Sequence, residues 1–357
     1  MSLERRIAEL IAETGPIPVS QFMAMCLFDP TDGYYTTREP FGAKGDFITA
    51  PEISQMFGEL VAIWLYAAWQ AQGAPSNVVL AEIGPGRGTL MRDMKRTWAR
   101  LPGAGDVRTA LIETSPRLTA IQKETLGETS AKWHRDMAEL PDAPLLIVGN
   151  ELFDAVPIRQ FVRTAQGWRE RCIGLGENGD LAFVAGAGTI EADLLPPDAA
   201  EAKDGAIFEV APARTALMQG ICERIAAQGG AGLFIDYGHL APGIGDTLQA
   251  MRAHSHVEML ANPGQADLTS HVDFAALALT AKAAGLEARA TTQGEFLIGM
   301  GLLERAGQLG AGGNDALRER LSGEVERLAG PDQMGALFKV LMVSRDLQGL
   351  PPASAAD

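Results

Sequence analysis

The chain has 357 residues, 46% hydrophobic and 21% charged, with a formal net charge of −15. That length accommodates one large α/β domain with insertions or two modest domains, and the apolar share fits a packed soluble core. An acidic surface repels phosphate backbones, so the charge weighs against bulk nucleic-acid binding and favours a basic protein or peptide partner.

Cys26, Cys172 and Cys222 are far apart and form no CxxC pair. They read as buried thiols in a reducing compartment, with no metal set. No apolar run approaches the roughly 20 residues needed to span a bilayer. The N-terminus lacks the apolar core of a signal peptide. A cytoplasmic location without membrane insertion is therefore expected.

In chain order, Leu3 to Glu13 forms an amphipathic helix with Leu3, Ile7, Leu10 and Ile11 on one face. Turn-rich segments follow at 28–35 and 40–47. Thr49 as N-cap, Pro51 in the first turn and Glu52 completing a capping box open a long helix to about Gln72. Its buried side carries Phe57, Leu60, Val61, Trp64 and Leu65. Residues 1–75 read as an N-terminal extension that covers the site.

A β-α-β-α rhythm begins at Val78–Ile83, a continuous apolar run of the kind covered on both faces. A helix follows over Thr89–Trp98, a strand over Thr109–Glu113, a helix over Pro116–Glu124, a short strand over Lys132–His134 and another over Leu145–Val148. The rhythm predicts a parallel, doubly wound sheet. It breaks at Arg159–Val184, which reads as antiparallel strands with turns at Gly167 and Asn178-Gly179. Glu191 to Gly205 reads as loop and Pro212–Gln228 as helix. Gly232–Gly238 is a further core strand, Asp273–Ala284 a helix and Leu286–Thr291 a strand. Gly294–Leu328 is largely helical, and Phe338–Ser344 is the seventh core strand. Seven strands with the last two split by a helical insertion suit an α/β fold class, a Rossmann-like sheet of the methyltransferase type. The core spans 76–347, with insertions at about 156–210 and 294–330 for substrate recognition. Residues 348–357 read as a disordered tail.

Open α/β sheets bind ligands at the carboxyl ends of their strands. Glu82-Ile83-Gly84-Pro85-Gly86-Arg87-Gly88 lies at such an end. Gly84, Gly86 and Gly88 remove side chains where a ligand touches backbone, and the next helix offers free N–H groups. A dinucleotide fingerprint needs G-x-G-x-x-G. Here Thr89 stands in the third position. The pattern E-x-G-x-G-x-G is instead that of class I S-adenosyl-L-methionine-dependent methyltransferases. Glu113, ending the second core strand, can accept both hydroxyls of a ribose under either reading. Without a ligand, the same glycines make a tight strand-to-helix turn. Asp136 and Met137, after the third strand, would flank the adenine.

Gly149-Asn150-Glu151-Leu152-Phe153-Asp154 follows the fourth strand. Methyl transfer is an in-line displacement, so alignment and exclusion of water supply much of the acceleration. A guanidinium acceptor must be gripped by carboxylates that orient one nitrogen and hold charge on the others. Glu151 and Asp154 are candidates for that grip, and Asn150 for cofactor contact. The plainer alternative makes Asp154 a turn cap and Glu151 a solvated charge. His254 and His256 lack a third ligand for zinc. His239 and His271 could line a site or be structural, and Asp273 could simply be an N-cap.

The chain resembles the MidA family, whose mitochondrial member is a complex I assembly factor with protein arginine methyltransferase activity. The resemblance rests on Gly45-Asp46-Phe47-Ile48-Thr49-Ala50-Pro51-Glu52-Ile53-Ser54, Glu82 to Gly88, Asn150 to Ala155, Phe234 to Gly238 and Asp267 to Phe274. It implies symmetric dimethylation of an arginine on the subunit of NADH:ubiquinone oxidoreductase shared with nickel-iron hydrogenases. It also implies that Gly45 to Ser54 helps close the site over cofactor or substrate; Gly45, Asp46, Phe47 and His271 are the candidate substrate-binding residues. A homodimer is allowed. A cofactor-binding assembly chaperone without essential catalysis, and a methyltransferase for a small molecule or RNA, are the alternatives.

Overall fold

A computed structural model describes residues 1–37, 48–105, 107–127, 131–253 and 255–352, and within them the α/β alternation forms one eight-stranded mixed sheet. Its main strands are β1 (Val79–Ile83), β2 (Arg108–Ile112), β3 (Lys132–His134), β4 (Leu145–Asn150), β5 (Gly230–His239), β6 (Glu287–Thr292) and β7 (Phe338–Ser344). They lie in the order β3-β2-β1-β4-β5-β7-β6, and the short strand Val272–Asp273 pairs with the end of β5. Every residue of β1 is buried. On one face of the sheet, Phe57, Leu60, Trp64 and Leu65 of the helix Gln55–Ala71 and Leu90, Met91, Met94 and Trp98 of the helix Thr89–Trp98 share a core with Leu80.

The sheet is not wholly parallel as the rhythm predicts. β7 runs antiparallel to both β5 and β6. The reason is the connection. Helices Gln293–Gly299, Leu302–Gly310 and Asp315–Ala329 bring the chain back beside the end of β6, so that Thr292 pairs with Lys339. A parallel β7 would have to recross the sheet first.

The expected helix from Thr49 to Gln72 is two helices, Ala50–Ile53 and Gln55–Ala71. Ser54 is the break and the cap of the second, accepting from Met56 N at 3.3 Å. Thr49 makes no side-chain cap bond, so no capping box closes there. Glu52 is drawn away by a tertiary partner, Thr89, whose hydroxyl donates to its carboxylate.

The described chain divides into two units. This sheet belongs to the one comprising Ile48–Leu152, Leu217–Leu240 and Val272–Asp357. The other unit is Met1–Phe47, Phe153–Ala216 and Ala241–His271. Its main sheet is antiparallel, ordered Ile17–Pro18, Gly167–Leu175, Arg159–Thr164, Ile207–Val210, with Leu181–Ala185 also on Gly167–Leu175. The strand Ile207–Val210, just past the expected loop, was not anticipated, nor was the small sheet of Gln249–Arg252, Ser255–His256 and Asp267–Thr269. The helix Leu3–Thr14 buries Leu3, Ile7 and Ile11 against Phe22 and Met23.

Of the expected tail, Leu350 is buried, and the Arg289 guanidinium donates to the carbonyls of Leu347, Leu350 and Pro352. Residues 353–357, Gly45 to Phe47 and His254 lie outside the described residues. Among the described residues, no helix is long and apolar enough to cross a membrane.

Candidate active site

Strand order reverses between β1 and β4, the kind of place where open α/β sheets bind their ligands. Gly84, Gly86 and Gly88 all take positive φ, at 67°, 50° and 81°. The turn therefore needs glycine, since an L side chain is strained in that region. Gly88 caps the helix Thr89–Trp98 in the left-handed conformation and donates to Pro85 O at 2.7 Å.

Glu82, at the next-to-last position of β1, is buried, and burial pushes its carboxyl well above the ordinary range. The backbone N–H of Met91 pulls the other way and favours the ionised form, while Glu82 Oε2 is buried without a protein donor. Asn150, ending β4, is similar. Its Nδ2 donates to Glu151 Oε1 at 3.0 Å, and its Oδ1 is buried without a donor.

Glu113 follows β2. Its Oε1 accepts from Ser115 N at 2.7 Å and its Oε2 from Gln122 Nε2 at 3.1 Å. Burial raises its pKa, and these donors pull against that. Gln122 also donates to Gly86 O at 2.9 Å and accepts from Trp133 Nε1 at 2.9 Å. Asp136 is exposed and caps the short turn Met137–Glu139, accepting from Ala138 N at 2.7 Å. Met137 is half-buried, and its carbonyl accepts from Arg224.

Glu151 directly follows β4. It is half-buried, with φ at 51°, and its N–H donates to Ile235 O at 2.8 Å. A non-glycine residue held at such a φ carries about 1–3 kcal/mol of strain, a hallmark of positions kept for function. The ends of three neighbouring strands, β2, β1 and β4, thus bring together Glu113, Glu82, the three glycines, Asn150 and Glu151.

Asp154 belongs to the other unit. It is buried, and its carbonyl accepts from Ser270 N at 3.1 Å and from Arg214 Nη2 at 3.0 Å. Arg214, itself buried, also donates to the carbonyls of Val156 and His271 and to the Ser270 hydroxyl. It fastens the Asp154–Val156 loop to Ser270 and His271. His271 is half-buried, its N–H donating to Thr247 Oγ1 at 3.0 Å. Asp267 accepts from the Tyr35 hydroxyl at 3.0 Å. Asp273 caps the helix Phe274–Ala283, which is the plainer of its two readings.

The model of a family of S-adenosyl-L-methionine-dependent methyltransferases matches residues 60–292. The chain belongs to that family. It is 34% identical to the mitochondrial protein arginine methyltransferase NDUFAF7 of Xenopus tropicalis, over 96% of this chain and 86% of that protein. The human protein of the same name is also 34% identical, over 97% of this chain and 84% of its own length. A Burkholderia thailandensis protein crystallised with S-adenosyl-homocysteine superposes with a TM-score of 0.84 at 29% identity, covering 97% of this chain and 92% of that one.

The methyltransferase fold and its cofactor, S-adenosyl-L-methionine, both anticipated from the glycine loop, are thereby established. The residues present fit that cofactor. Glu82 Oε2 and Asn150 Oδ1 are buried acceptors lacking donors, and the cofactor's methionine end carries an ammonium, which is all donor. Glu113 keeps lone pairs beyond its internal bonds, since a carboxylate offers about four. Gln122, tied to these strand ends, carries no sequence signal of it and reads as an ordinary polar position on a helix, as Arg214 does in the other unit. Glu52 reads as a cap, yet bonds the first residue of the helix after the glycine loop.

Proposed function

We propose that this methyltransferase transfers the methyl group to an arginine side chain of a protein. The observation that carries the reading is Glu151, a carboxylate held at positive φ just past β4, hydrogen-bonded by Asn150, at the strand ends where Glu82 and the glycine loop stand. The bound cofactor supplies a methyl carbon made electrophilic by the sulfonium. Glu151 accepts from the substrate guanidinium and holds positive charge on the nitrogens it grips, so that the remaining nitrogen keeps a lone pair for the methyl carbon. As the new N–C bond forms, the methyl carbon's bond to sulfur would break with its electron pair left on sulfur, and the nitrogen's proton would pass to solvent. Glu82 and Asn150 hold the methionine ammonium, Glu113 the ribose, and Asp136 and Met137 flank the adenine. Asp154 assists the grip, with Gly45, Asp46, Phe47 and His271 on the substrate side.

The names of the relatives support an arginine acceptor, and the acidic balance of the chain supports a basic peptide segment as its carrier. The resemblance to the MidA family supports symmetric dimethylation of a subunit of NADH:ubiquinone oxidoreductase, in service of complex I assembly. We place the protein in the cytoplasm, with its three cysteines buried and free, and allow a homodimer.

The test is labelled S-adenosyl-L-methionine added with the protein to an extract of cells that lack it. Label at arginine in one protein band is expected. Label confined to RNA or small molecules would refute the proposal. Complex assembly that survives Glu151→Gln while methylation is lost would transfer the essential role from catalysis to binding.

A further inference from the structure

Gln122 is fully buried on the helix Pro116–Leu126, and no role assigned above uses it. Both polar atoms of its amide have partners. The Trp133 indole N–H can only donate, so its bond to Oε1 at 2.9 Å settles which end of the amide is oxygen. Nε2 is thereby turned toward Gly86 O at 2.9 Å and Glu113 Oε2 at 3.1 Å, using both of its N–H groups. The three partners come from the glycine loop, the end of β2 and β3. A leucine would fill the same buried helical position without the cost of burying a polar group.

We propose that Gln122 is a positioning residue for the cofactor ribose. It clamps one oxygen of Glu113 while Ser115 N clamps the other at 2.7 Å. The carboxylate is thus fixed, relative to the glycine loop, before the cofactor arrives. Its remaining lone pairs face the ribose hydroxyls without a further ordering cost, which is how preorganisation raises affinity. The inference rests on reading Glu113 as the ribose acid.

The experiment measures binding of two ligands by calorimetry: S-adenosyl-homocysteine and its 2′,3′-dideoxy analogue, which lacks both ribose hydroxyls. The proteins are the wild type, Glu113→Ala and Gln122→Leu. Gln122→Leu should weaken S-adenosyl-homocysteine about 10- to 30-fold and the analogue by less than about threefold. Equal weakening of both ligands would mean a general loosening and would overturn the proposal, as would full retention of the wild-type preference. Failure of the ribose reading looks different: there the wild type itself does not prefer the hydroxylated ligand, or Glu113→Ala keeps that preference. If Gln122→Leu does not fold, Trp133→Phe serves. It keeps Gln122 but removes the donor that orients the amide, and should lower the preference by at least about threefold. An unchanged preference in Trp133→Phe would equally overturn the proposal.

Discussion

Replacing Glu82 by Gln tests the fit between this site and its cofactor most directly. The two side chains have the same shape, but the amide has one acceptor and one donor end. The Met91 N–H favours the ionised Glu82 carboxyl, so the amide is expected to turn its oxygen to Met91. Its NH₂ then points where Oε2 now lies without a partner. A donor replaces an acceptor opposite the cofactor ammonium. Loss of one charge-assisted hydrogen bond accounts for about 1.5–3 kcal/mol. The unfavourable donor pair moves the expectation to the upper part of that range, a loss of about 30- to 150-fold in affinity for S-adenosyl-homocysteine. Calorimetry at neutral pH reads this, with the melting temperature of the cofactor-free protein as a control. The pH profile adds a second signature. Burial raises the Glu82 carboxyl, and a cation at Oε2 favours its ionised form. Binding therefore expels a proton, and affinity climbs with pH until pH passes the raised value. The variant lacks this component. Without cofactor, the folded state takes up the Glu82 proton before the unfolded chain does. Its contribution to stability is accordingly full below the ordinary carboxyl range and fades as pH rises through the folded value. Wild-type affinity in the variant, within about twofold, would refute the reasoning.

Glu151→Gln should cut methyl transfer about 100-fold or more while leaving affinity for S-adenosyl-homocysteine within about threefold, and retention of a tenth of the activity would count against its role. Arg214→Met removes the guanidinium's hydrogen bonds to the carbonyls of Asp154, Val156 and His271. It should lower stability by about 3–5 kcal/mol in urea denaturation, and a loss under about 1 kcal/mol would show that these bonds are replaceable. Gly88→Ala forces an L side chain to φ 81° with its Cβ 3.4 Å from Gln122 Cγ. A loss of about 1–2 kcal/mol is expected in thermal melts, and an unchanged melting point would remove the conformational argument.

Much of the site-bearing half of the sheet is legible in the sequence. β1 is buried throughout, so it reads as an unbroken apolar run. The helix Thr89–Trp98 announces itself by the glycine before it. Strand direction is another matter. Periodicity is the same read either way, so β7 gives no sign of running against its neighbours. Short strands such as Ile207–Val210 fall below the length at which alternation is visible. The misread cap at Glu52 has a different cause, for the local S/T-x-x-E pattern is genuine but Thr89, distant in sequence, competes for the carboxylate. Gln122 and Arg214 fail in the same way. Nothing in a helix with a polar residue says that distant segments will converge on it. The glycines and Glu113 were readable because their chemistry is local to strand ends.

The position of β7 bears on the order in which the protein can be assembled during synthesis. β5 and β6 do not pair with each other; β7 lies between them and follows both in the chain. Until residues 338–344 emerge, β5 presents an unpaired edge on that side and β6 has no place in the sheet. Exposed edges of this kind recruit other chains. The strands that carry the glycine loop, Glu113 and Glu151 are complete by residue 150 and pair among themselves. The ribosome thus releases the cofactor-binding half early and the seal of the sheet last. A cofactor molecule captured by that first half would steady the nascent chain through its most aggregation-prone interval.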